Sequence, residues 1–238
     1  MSDIKAAVPA WVSLCGQMAP IAGILVFAAP IPTMLQIQRE KSVGALPMLP
    51  YSSMIVNCVV WFTYGLLKLE PKVWHTNSVG LFLGLYYCYV FHQFCPKNAN
   101  SLPGTVWQHF QGTFLIASFI LMVVVTMPKE TATELVGKVG VFFCVLMFGS
   151  PLSALKNVIV MKSAKALPLP FTLATCVNCV LWSVFGLLDT HDFNIYAPNI
   201  LGLCCGIAQL ALIGIYGEGT TSSIKSSSEG EELKSNIA

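Results

Sequence analysis

One stretch of this chain occurs twice: it reads KSVGALPMLPYSSMIVNCVVWFTYGLL at residues 41–67 and KSAKALPLPFTLATCVNCVLWSVFGLL at residues 162–188. At an offset of 121 positions, 13 of the 27 residue pairs are identical. The register extends to Gly16 with Gly137 and Pro30 with Pro151 and, after one extra residue in the second copy, to Asn77 with Asn199, Gly80 with Gly202 and Gly84 with Gly206. The chain therefore contains an internal duplication of about 80 residues, a length at which repeats define a fold.

The composition is that of a membrane protein. Hydrophobic residues make up 55% of the chain and charged residues only 10%, whereas soluble domains carry roughly 25% charged residues. The net charge of +2 gives no reason to expect a nucleic-acid partner. The N-terminus has no basic region followed by a short apolar run and a cleavage site, so we expect no cleaved signal peptide.

The positions of the charges predict seven transmembrane helices. A helix needs about 20 apolar residues to cross the bilayer core, and six of the seven charge-free intervals meet that length. The shorter interval, 139–155, ends at Lys156, a side chain that can reach the membrane surface by snorkelling. The intervals are 6–38, 42–67, 73–96, 98–128, 139–155, 166–188 and 193–217.

These spans predict an all-α membrane protein with a 3+1+3 arrangement. The first three-helix repeat covers 10–94, a linker with helix 4 covers 95–128, the second repeat covers 134–216, and 217–238 is expected to be a disordered cytoplasmic tail. Because three helices are an odd number, one intervening helix makes the two repeats parallel in the membrane. The predicted helices are about 10–37, 45–67, 73–94, 109–127, 137–160, 166–188 and 193–216.

Basic residues predict the orientation, because positive charges favour the cytoplasmic side. An outer N-terminus and a cytoplasmic C-terminus place eight of them inside and five outside. The inner set is Arg39, Lys41, Lys97, Lys156, Lys162, Lys165, Lys225 and Lys234, and the outer set is Lys5, Lys68, Lys72, Lys129 and Lys138. We take the plasma membrane as the default location.

The spans lack the groups that most chemistry requires. No Asp, Glu, Lys or Arg lies in the middle of a predicted span, where proton relays and ion-coupled pumps place such a group. We find no phosphate-binding glycine loop and no metal-ligand cluster, and Cys176 with Cys179 forms a C-x-x-C in mid-helix, where metal or redox chemistry is not expected. The sequence therefore predicts a protein that is not an enzyme and needs no cofactor.

The polar groups inside the spans are amides, and they come in repeat-related pairs. Neutral amides donate and accept hydrogen bonds, which suits a ligand rich in hydroxyl groups better than it suits an ion. Two tryptophans, Trp61 and Trp182, offer flat apolar faces for the C–H surface of a sugar ring. For Asn57 and Asn178 we favour bonding between helices, whereas for Asn77 and Asn199 the residues alone leave helix contact and ligand contact equally open.

The chain resembles the SWEET family of sugar transporters over residues 11–216. The matching pieces are AAP ending at Pro30, KSVGALP followed by Pro50 and Tyr51, NCVVWFTYGL, TNSVG with Asn77, SPL with Pro151, KSAKALP with Pro168, WSVFGL, and APN with Asn199. The resemblance implies a facilitative, bidirectional uniporter for mono- or disaccharides that works by alternating access. It also implies that each three-helix bundle packs in the order 1-3-2.

The resemblance assigns roles to ten residues of this chain. It implies that Asn77, Asn199, Trp61 and Trp182 contact the sugar, that Tyr64 and Asp192 form an outer gate, and that Pro30, Pro50, Pro151 and Pro168 are hinges. Pro170 lies two residues after Pro168, so the identity of the fourth hinge proline stays open. So does assembly into a homo-oligomer.

Two other functions compete with sugar transport at this point. An amino-acid transporter of the PQ-loop type would have the same helix count, but the Pro-Gln dipeptides of that type are missing. A seven-helix receptor would not be expected to carry an internal duplication. Uptake of glucose, sucrose and amino acids into proteoliposomes separates the three.

Overall fold

A computed structural model of the chain describes residues 8–96, 104–147, 149–165 and 167–217, with the backbone alone at 149–151. The described part is helical and contains no strand. Its elements are α1 (Ala10–Ala28), α2 (Ile31–Glu40), α3 (Leu49–Lys68), α4 (Pro71–Phe94), α5 (Val106–Thr126), α6 (Lys129–Met147), α7 (Gly149–Met161), α8 (Leu169–Val184), a π-helical turn (Phe185–Asp189) and α9 (Phe193–Tyr216). The predicted tail beyond residue 217 lies outside the described residues.

The helices form two bundles joined by α5. In the first bundle α4 lies between α1 and α3, and α2 continues along α4. In the second bundle α9 packs against α6, α7 and α8. This is the 1-3-2 order that the resemblance implied, with each broken helix counted as one span. The single helix α5 packs on α3 and α6, so the 3+1+3 prediction is confirmed.

The two bundles meet through equivalent pairs of helices. α1 of the first bundle packs against α8 of the second, and α6 of the second packs against α3 of the first. The duplicated sequence thus produces a pseudo-twofold interface, and any cavity at its centre is lined by both copies.

Five spans in the described part are long and apolar enough to cross a membrane: Ala10–Glu40, Val106–Thr126, Lys129–Met161, Leu169–Asp189 and Phe193–Tyr216. The two other predicted spans, α3 and α4, have 20 and 24 residues. They are therefore long enough at about 1.5 Å of rise per residue, but buried polar side chains such as Asn77 make them less apolar overall. Since each packs within a bundle whose other helices are membrane-length, all seven spans belong to the membrane domain.

The break predicted near Pro30 is present. α1 ends at Ala28 and α2 begins at Ile31, and Ala29 donates its N–H to the carbonyl oxygen of Val26 at 3.2 Å, a tightened final turn. Proline supplies no N–H and its ring crowds the preceding turn, so the continuous hydrogen-bond ladder stops here. In the second bundle the equivalent span is helical on both sides of residue 148, which itself lies outside the described residues, and the two parts are called α6 and α7.

Two predicted helix starts were wrong, each for a physical reason. The first helix of the second repeat starts at Lys129, before both the predicted helix start at 137 and the repeat boundary at 134. The charged residues in its first turns do not prevent helix formation, because those turns are exposed. Glu134 pairs with Lys138 one turn further on, at 2.6 Å, as i,i+4 ion pairs do on a helix surface. α3 starts at Leu49 and not at 45, after the turn that precedes it.

The extra residue of the second copy lies in the π-helical turn Phe185–Asp189. Upstream, Gly65 and Gly186 correspond at the offset of 121. Downstream, Glu70 and Asp192 correspond at 122: each caps the helix that follows by accepting a backbone N–H two residues on. The backbone N–H of Glu70 donates to the carbonyl of Gly65, and that of Asp192 donates to the carbonyl of Gly186. The widened turn thus absorbs one inserted residue, as π-bulges do.

Candidate functional site

A cavity of about 260 Å³ lies at the interface of the two bundles. The four residues predicted to contact a sugar, Asn77, Asn199, Trp61 and Trp182, all line it. Further lining comes from α1 (Gly23, Val26, Phe27), from α3 and α4 (Asn57, Val73, Thr76), from α6 and α8 (Cys144, Thr175, Asn178, Cys179), and from α9 (Ile195, Pro198, Gly202, Cys205, Gly206, Gln209). The fold therefore brings these two repeat-related pairs to one place.

The paired amides are held in the same way. Asn77 donates its Nδ2 to the carbonyl of Val73, and Asn199 donates its Nδ2 to the carbonyl of Ile195, both at 2.8 Å and one helical turn back. A carbonyl oxygen only accepts, so the nitrogen must face it and the orientation of each amide is fixed. Each amide oxygen, with one remaining N–H, is left for other partners, so the pair offers mainly acceptors.

The paired indoles pack alike but bond differently. Trp61 and Trp182 are each 8% exposed. Trp61 donates its Nε1–H to the Oδ1 of Asn57 at 3.1 Å. Its repeat mate Trp182 has Asn178 at the same spacing, yet the Oδ1 of Asn178 is buried and has no hydrogen-bond partner among the described residues. The pseudo-twofold symmetry of the cavity is thus broken at one amide.

Asn57 and Asn178 also line the cavity, whereas the sequence interpretation favoured bonding between helices for both. Asn57 does make a bond between helices: its Oδ1 also accepts a hydrogen bond from the thiol of Cys144, in the other bundle, at 3.7 Å. The spacing of each Asn four residues before a Trp was the missed signal, because residues four apart share a helix face. Thr175 and Gln209, whose repeat mates are Met54 and Tyr87, carried no such signal.

One end of the bundle interface is sealed; this is the end at which α3 ends and α9 begins, called the closed end below. The phenol of Tyr64 donates to the carboxylate of Asp192, with O–O distances of 2.9 and 2.8 Å. Asn194 donates its Nδ2 to the Tyr64 oxygen at 3.1 Å, and Lys68 pairs with Asp192 at 3.0 Å. Tyr64 and Asp192 are 2% and 5% exposed, so the predicted gate pair is in contact and buried.

The pseudo-equivalent position has a different chemistry. Phe185 replaces tyrosine, so it has no hydroxyl to give to Glu70, the equivalent of Asp192. The ammonium group of Lys72 lies 4.3 Å from the centre of the Phe185 ring and 3.5 Å from a carboxylate oxygen of Asp189. One half of the closed end is therefore held by a hydrogen bond to a buried carboxylate, and the other by a cation–π contact and a partly buried ion pair.

Two repeat-related glycines allow the bundles to approach at the closed end. A β-carbon on Gly137 would lie 2.8 Å from Cε2 of Tyr64, and one on Gly16 would lie 2.9 Å from Cδ2 of Phe185. Real β-carbons do not approach so closely. Neither position was predicted to be functional, although the duplication had already paired them.

The four predicted hinge prolines occupy two kinds of position. Pro30 separates two helices, whereas Pro151 is the third residue of α7, which begins next to residue 148, outside the described residues. Pro50 is the second residue of α3, and Pro168 immediately precedes α8, whose second residue is Pro170. A proline in a first helical turn removes no internal hydrogen bond, so within the described residues Pro30 is the one of these prolines that lies at a break in a span.

The described lining of the cavity contains no Asp, Glu, Lys or Arg. In the described part of the chain, no three His, Cys, Asp or Glu side chains converge so that they could hold a metal ion. Two parallel three-helix repeats with a cavity at their interface define the class of protein, a secondary transporter with parallel repeats.

Comparisons with known proteins identify the family. The family described as "Sugar efflux transporter for intercellular exchange" matches residues 13–99 and 134–221, and the chain belongs to this family.

Similar curated proteins include the bidirectional sugar transporters SWEET7 and SWEET9 of Arabidopsis thaliana. SWEET7 is 29% identical over 210 residues, covering 87% of this chain and 81% of that protein. SWEET9 is 31% identical over 211 residues, covering 87% and 80%. A eukaryotic SWEET transporter determined at 3.7 Å resolution superposes with a TM-score of 0.77 at 26% identity, covering 88% of this chain and all of that one.

Proposed function

We propose that this protein is a facilitative, bidirectional sugar uniporter that works by alternating access. The observation that carries the proposal is the cavity between the bundles, which is uncharged, lined by two repeat-related pairs of Asn and Trp, and sealed on one side by the contact of Tyr64 with Asp192. The names of the relatives, bidirectional sugar transporters, support the same function.

The four paired residues divide the work of holding a sugar. The free oxygens of Asn77 and Asn199 accept hydrogen bonds from sugar hydroxyls, and their remaining N–H groups donate to sugar oxygens. The indoles of Trp61 and Trp182 cover the C–H faces of the ring. Drug-sized ligands occupy pockets of about 300–1,000 Å³, and this cavity of about 260 Å³ suits one sugar ring better than two.

Alternating access requires that the two sides of the cavity open in turn. In this conformation the closed end is shut, so a sugar can enter only from the opposite end, toward Phe27 and Gln209. We propose that the bundles, 10–94 and 134–216, rock against each other about the break at Pro30 and about its repeat mate Pro151. Rocking separates Tyr64 from Asp192 and exposes the cavity to the other side.

We place the protein in the plasma membrane, with the N-terminus outside and the C-terminus in the cytoplasm. The excess of basic residues in the loops between α2 and α3 and between α7 and α8 supports this orientation. The closed end then faces outward, and the conformation described here is the inward-facing one. Tag accessibility in intact cells, measured separately for each terminus, tests the assignment.

An uptake experiment with purified protein tests the function. Proteoliposomes are given radiolabelled glucose, sucrose or a neutral amino acid, and both uptake and efflux are followed. We expect glucose to equilibrate in both directions and to stop at the external concentration. Transport of the amino acid without either sugar would replace the proposal with the PQ-loop alternative, and transport of neither class would overturn it.

A further inference from the structure

We propose that a second cavity, separate from the transport cavity, binds a neutral membrane lipid through its hydroxyl group. The cavity encloses about 250 Å³ between the first turns of α3, the first half of α5 and the end of α6. Its lining is Leu49, Ser52, Ser53, Val56, Gln108, His109, Gly112, Thr113, Ile116, Phe143 and Met147. It shares no lining residue with the cavity between the bundles.

The hydrogen bonds of Ser52 fix the chemistry of His109. The hydroxyl of Ser52 donates to the carbonyl of Leu49 at 3.1 Å, and it lies 3.0 Å from Nδ1 of His109. In the tautomer that agrees with the bond from Ser52 to Leu49, Nδ1 carries the hydrogen and donates to Ser52, since a serine hydroxyl has one proton. In the neutral ring Nε2 is then a bare acceptor.

That acceptor is unsatisfied. Nε2 of His109 is buried and has no hydrogen-bond partner among the residues that the structure describes. Buried polar atoms in folded proteins are rarely left in this state, because an unmade hydrogen bond destabilises the fold. Ser53 and Thr113 line the same cavity, and their hydroxyls have no hydrogen-bond partner among the described residues. A donor supplied from outside the chain would complete this group.

The remaining lining selects the kind of molecule that supplies the donor. Most of the cavity wall is apolar, with contributions from Leu49, Val56, Ile116, Phe143 and Met147, and the described lining has no charged side chain. A phosphate head group would find no cationic side chain there. A free sugar would bury many hydroxyl groups against apolar side chains without hydrogen-bond partners. A molecule with one hydroxyl group on an apolar body fits both the polar group and the apolar wall of this cavity.

The position in the membrane agrees with a lipid. Ser52 and His109 each lie in the first turn of a membrane helix, and we expect such a helix end, and lipid hydroxyl groups with it, at the membrane interface. Leu49 and Met147 at the rim are each 43% exposed, so the cavity borders the bilayer. Sterols and diacylglycerols share this chemistry, a single hydroxyl on an apolar body.

Occupancy of this site links parts of the molecule that belong to different bundles. α3 is in the first bundle and α6 in the second, while α5 joins them. A ligand that fits between the three in this conformation stabilises it over conformations in which the bundles have moved. The binding site itself does not rest on the proposed sugar transport.

Gly112 allows the cavity to be filled without disturbing its walls. A β-carbon at Gly112 would meet no atom within 4 Å, and the same is true of Gly214 in α9, outside both cavities. Gly112→Leu therefore places a side chain in the space of the ligand, and Gly214→Leu is the matched control. His109→Phe keeps a ring but removes the acceptor, without touching the bond from Ser52 to Leu49.

The test measures lipid binding to the purified full chain by native mass spectrometry and by the shift in Tm. The probes are cholesterol and a long-chain diacylglycerol, with phosphatidylcholine as a lipid that has no hydroxyl. We expect one saturable adduct with a hydroxyl lipid, and the lipid that forms it identifies the source. Gly112→Leu should weaken binding about tenfold or more and His109→Phe severalfold, whereas Gly214→Leu should bind as the parent does.

Three results would overturn the proposal. They are the absence of saturable binding by both hydroxyl lipids, equal binding of phosphatidylcholine, and parent-like binding by His109→Phe together with Gly112→Leu. If Gly112→Leu fails to fold, Thr113→Val takes its place, since it removes a cavity hydroxyl at nearly constant shape.

Discussion

Tyr64 and Asp192 are 128 positions apart in the chain, yet the phenol of one donates to the carboxylate of the other within 2.9 Å. The contact joins α3 of the first bundle to α9 of the second. The pseudo-symmetric position has no equivalent hydrogen bond, because Phe185 replaces the tyrosine and has no hydroxyl. A single buried hydrogen bond therefore distinguishes the two halves of the closed end, and it is the natural place to test how that end is held shut.

Replacing Tyr64 with Phe should loosen the closed end. A hydrogen bond to a charged group contributes about 1.5–3 kcal/mol, so the closed form should become about tenfold to a hundredfold less favoured relative to the open one. Hydrogen–deuterium exchange of peptides covering 186–196 should rise. Tyr89→Phe is the control, because Tyr89 is 62% exposed and its change should leave exchange unaltered. Parent-like protection in Tyr64→Phe would show that the ion pair of Lys68 with Asp192 alone keeps this end shut.

Gly137→Ala should prevent full closure by steric means. The added methyl would lie 2.8 Å from the ring of Tyr64 and 2.9 Å from Cγ of Asn194, and overpacking of this kind costs about 1–3 kcal/mol. We expect sugar uptake to fall about tenfold and Tm to drop. Gly214→Ala, where no atom is near, should retain uptake. Normal uptake by Gly137→Ala would mean that the closed end does not need this approach.

The architecture was predictable because the charge-free intervals give the number and length of the membrane helices, and the duplication gives their grouping into repeats. Seven spans, two parallel repeats and a common site for Trp61 and Trp182 follow from these patterns without any side-chain geometry. The start of α6 at Lys129 was missed, because a helix can extend beyond the apolar core when its charges are solvated and paired.

Details set by one atom could not be read from the sequence. The duplication predicts equal roles for Asn57 and Asn178, but only Asn57 receives an indole N–H. A β-carbon on Gly23 would lie 3.5 Å from both Asn178 Oδ1 and Trp182 Nε1, so α1 lies close to both atoms although they do not bond each other. The extra residue near 186–190 was visible as an offset, but its accommodation as a π-helical turn was not.

Asn77→Ala and Asn199→Ala should each reduce uptake about tenfold or more at unchanged surface expression. Removing one partner of a hydrogen bond costs about 1–3 kcal/mol, and the lost oxygen leaves a sugar hydroxyl unpaired. Stability should change little, because the carbonyls of Val73 and Ile195 keep their helical N–H partners. Asn157→Ala, at an exposed position in α7, is the control. Near-normal transport by both cavity variants would remove these amides from the binding site.

Transport should not respond to a proton gradient. The described lining of the cavity offers no carboxylate or basic side chain that could carry a coupling proton, and neutral amides do not titrate in the physiological range. Uptake into proteoliposomes should proceed at the same rate with and without an imposed pH difference. Accumulation above the external sugar concentration that an uncoupler abolishes would contradict uncoupled transport.

Pro30→Ala should slow transport without loss of stability. Pro30 lies between α1 and α2, and alanine there can donate the missing N–H and let the two helices continue as one. A proline inside a soluble helix costs about 3 kcal/mol relative to alanine, so Tm should stay equal or rise. The joined helix resists the bend that rocking requires, and we expect the uptake rate to fall severalfold while sugar binding in detergent persists.

Pro50 supplies the matched control for the hinge. It is the second residue of α3, where a proline removes no internal hydrogen bond, so Pro50→Ala should gain no stability through a restored ladder. Pro151→Ala, at the repeat-related position, should behave as Pro30→Ala does if the second bundle bends there too. If Pro30→Ala and Pro151→Ala instead lose Tm and surface expression in step with uptake, these prolines are packing elements, and the rocking motion must bend elsewhere. A slow but stable Pro30→Ala beside a Pro50→Ala of unchanged Tm would locate the hinge at the break between α1 and α2.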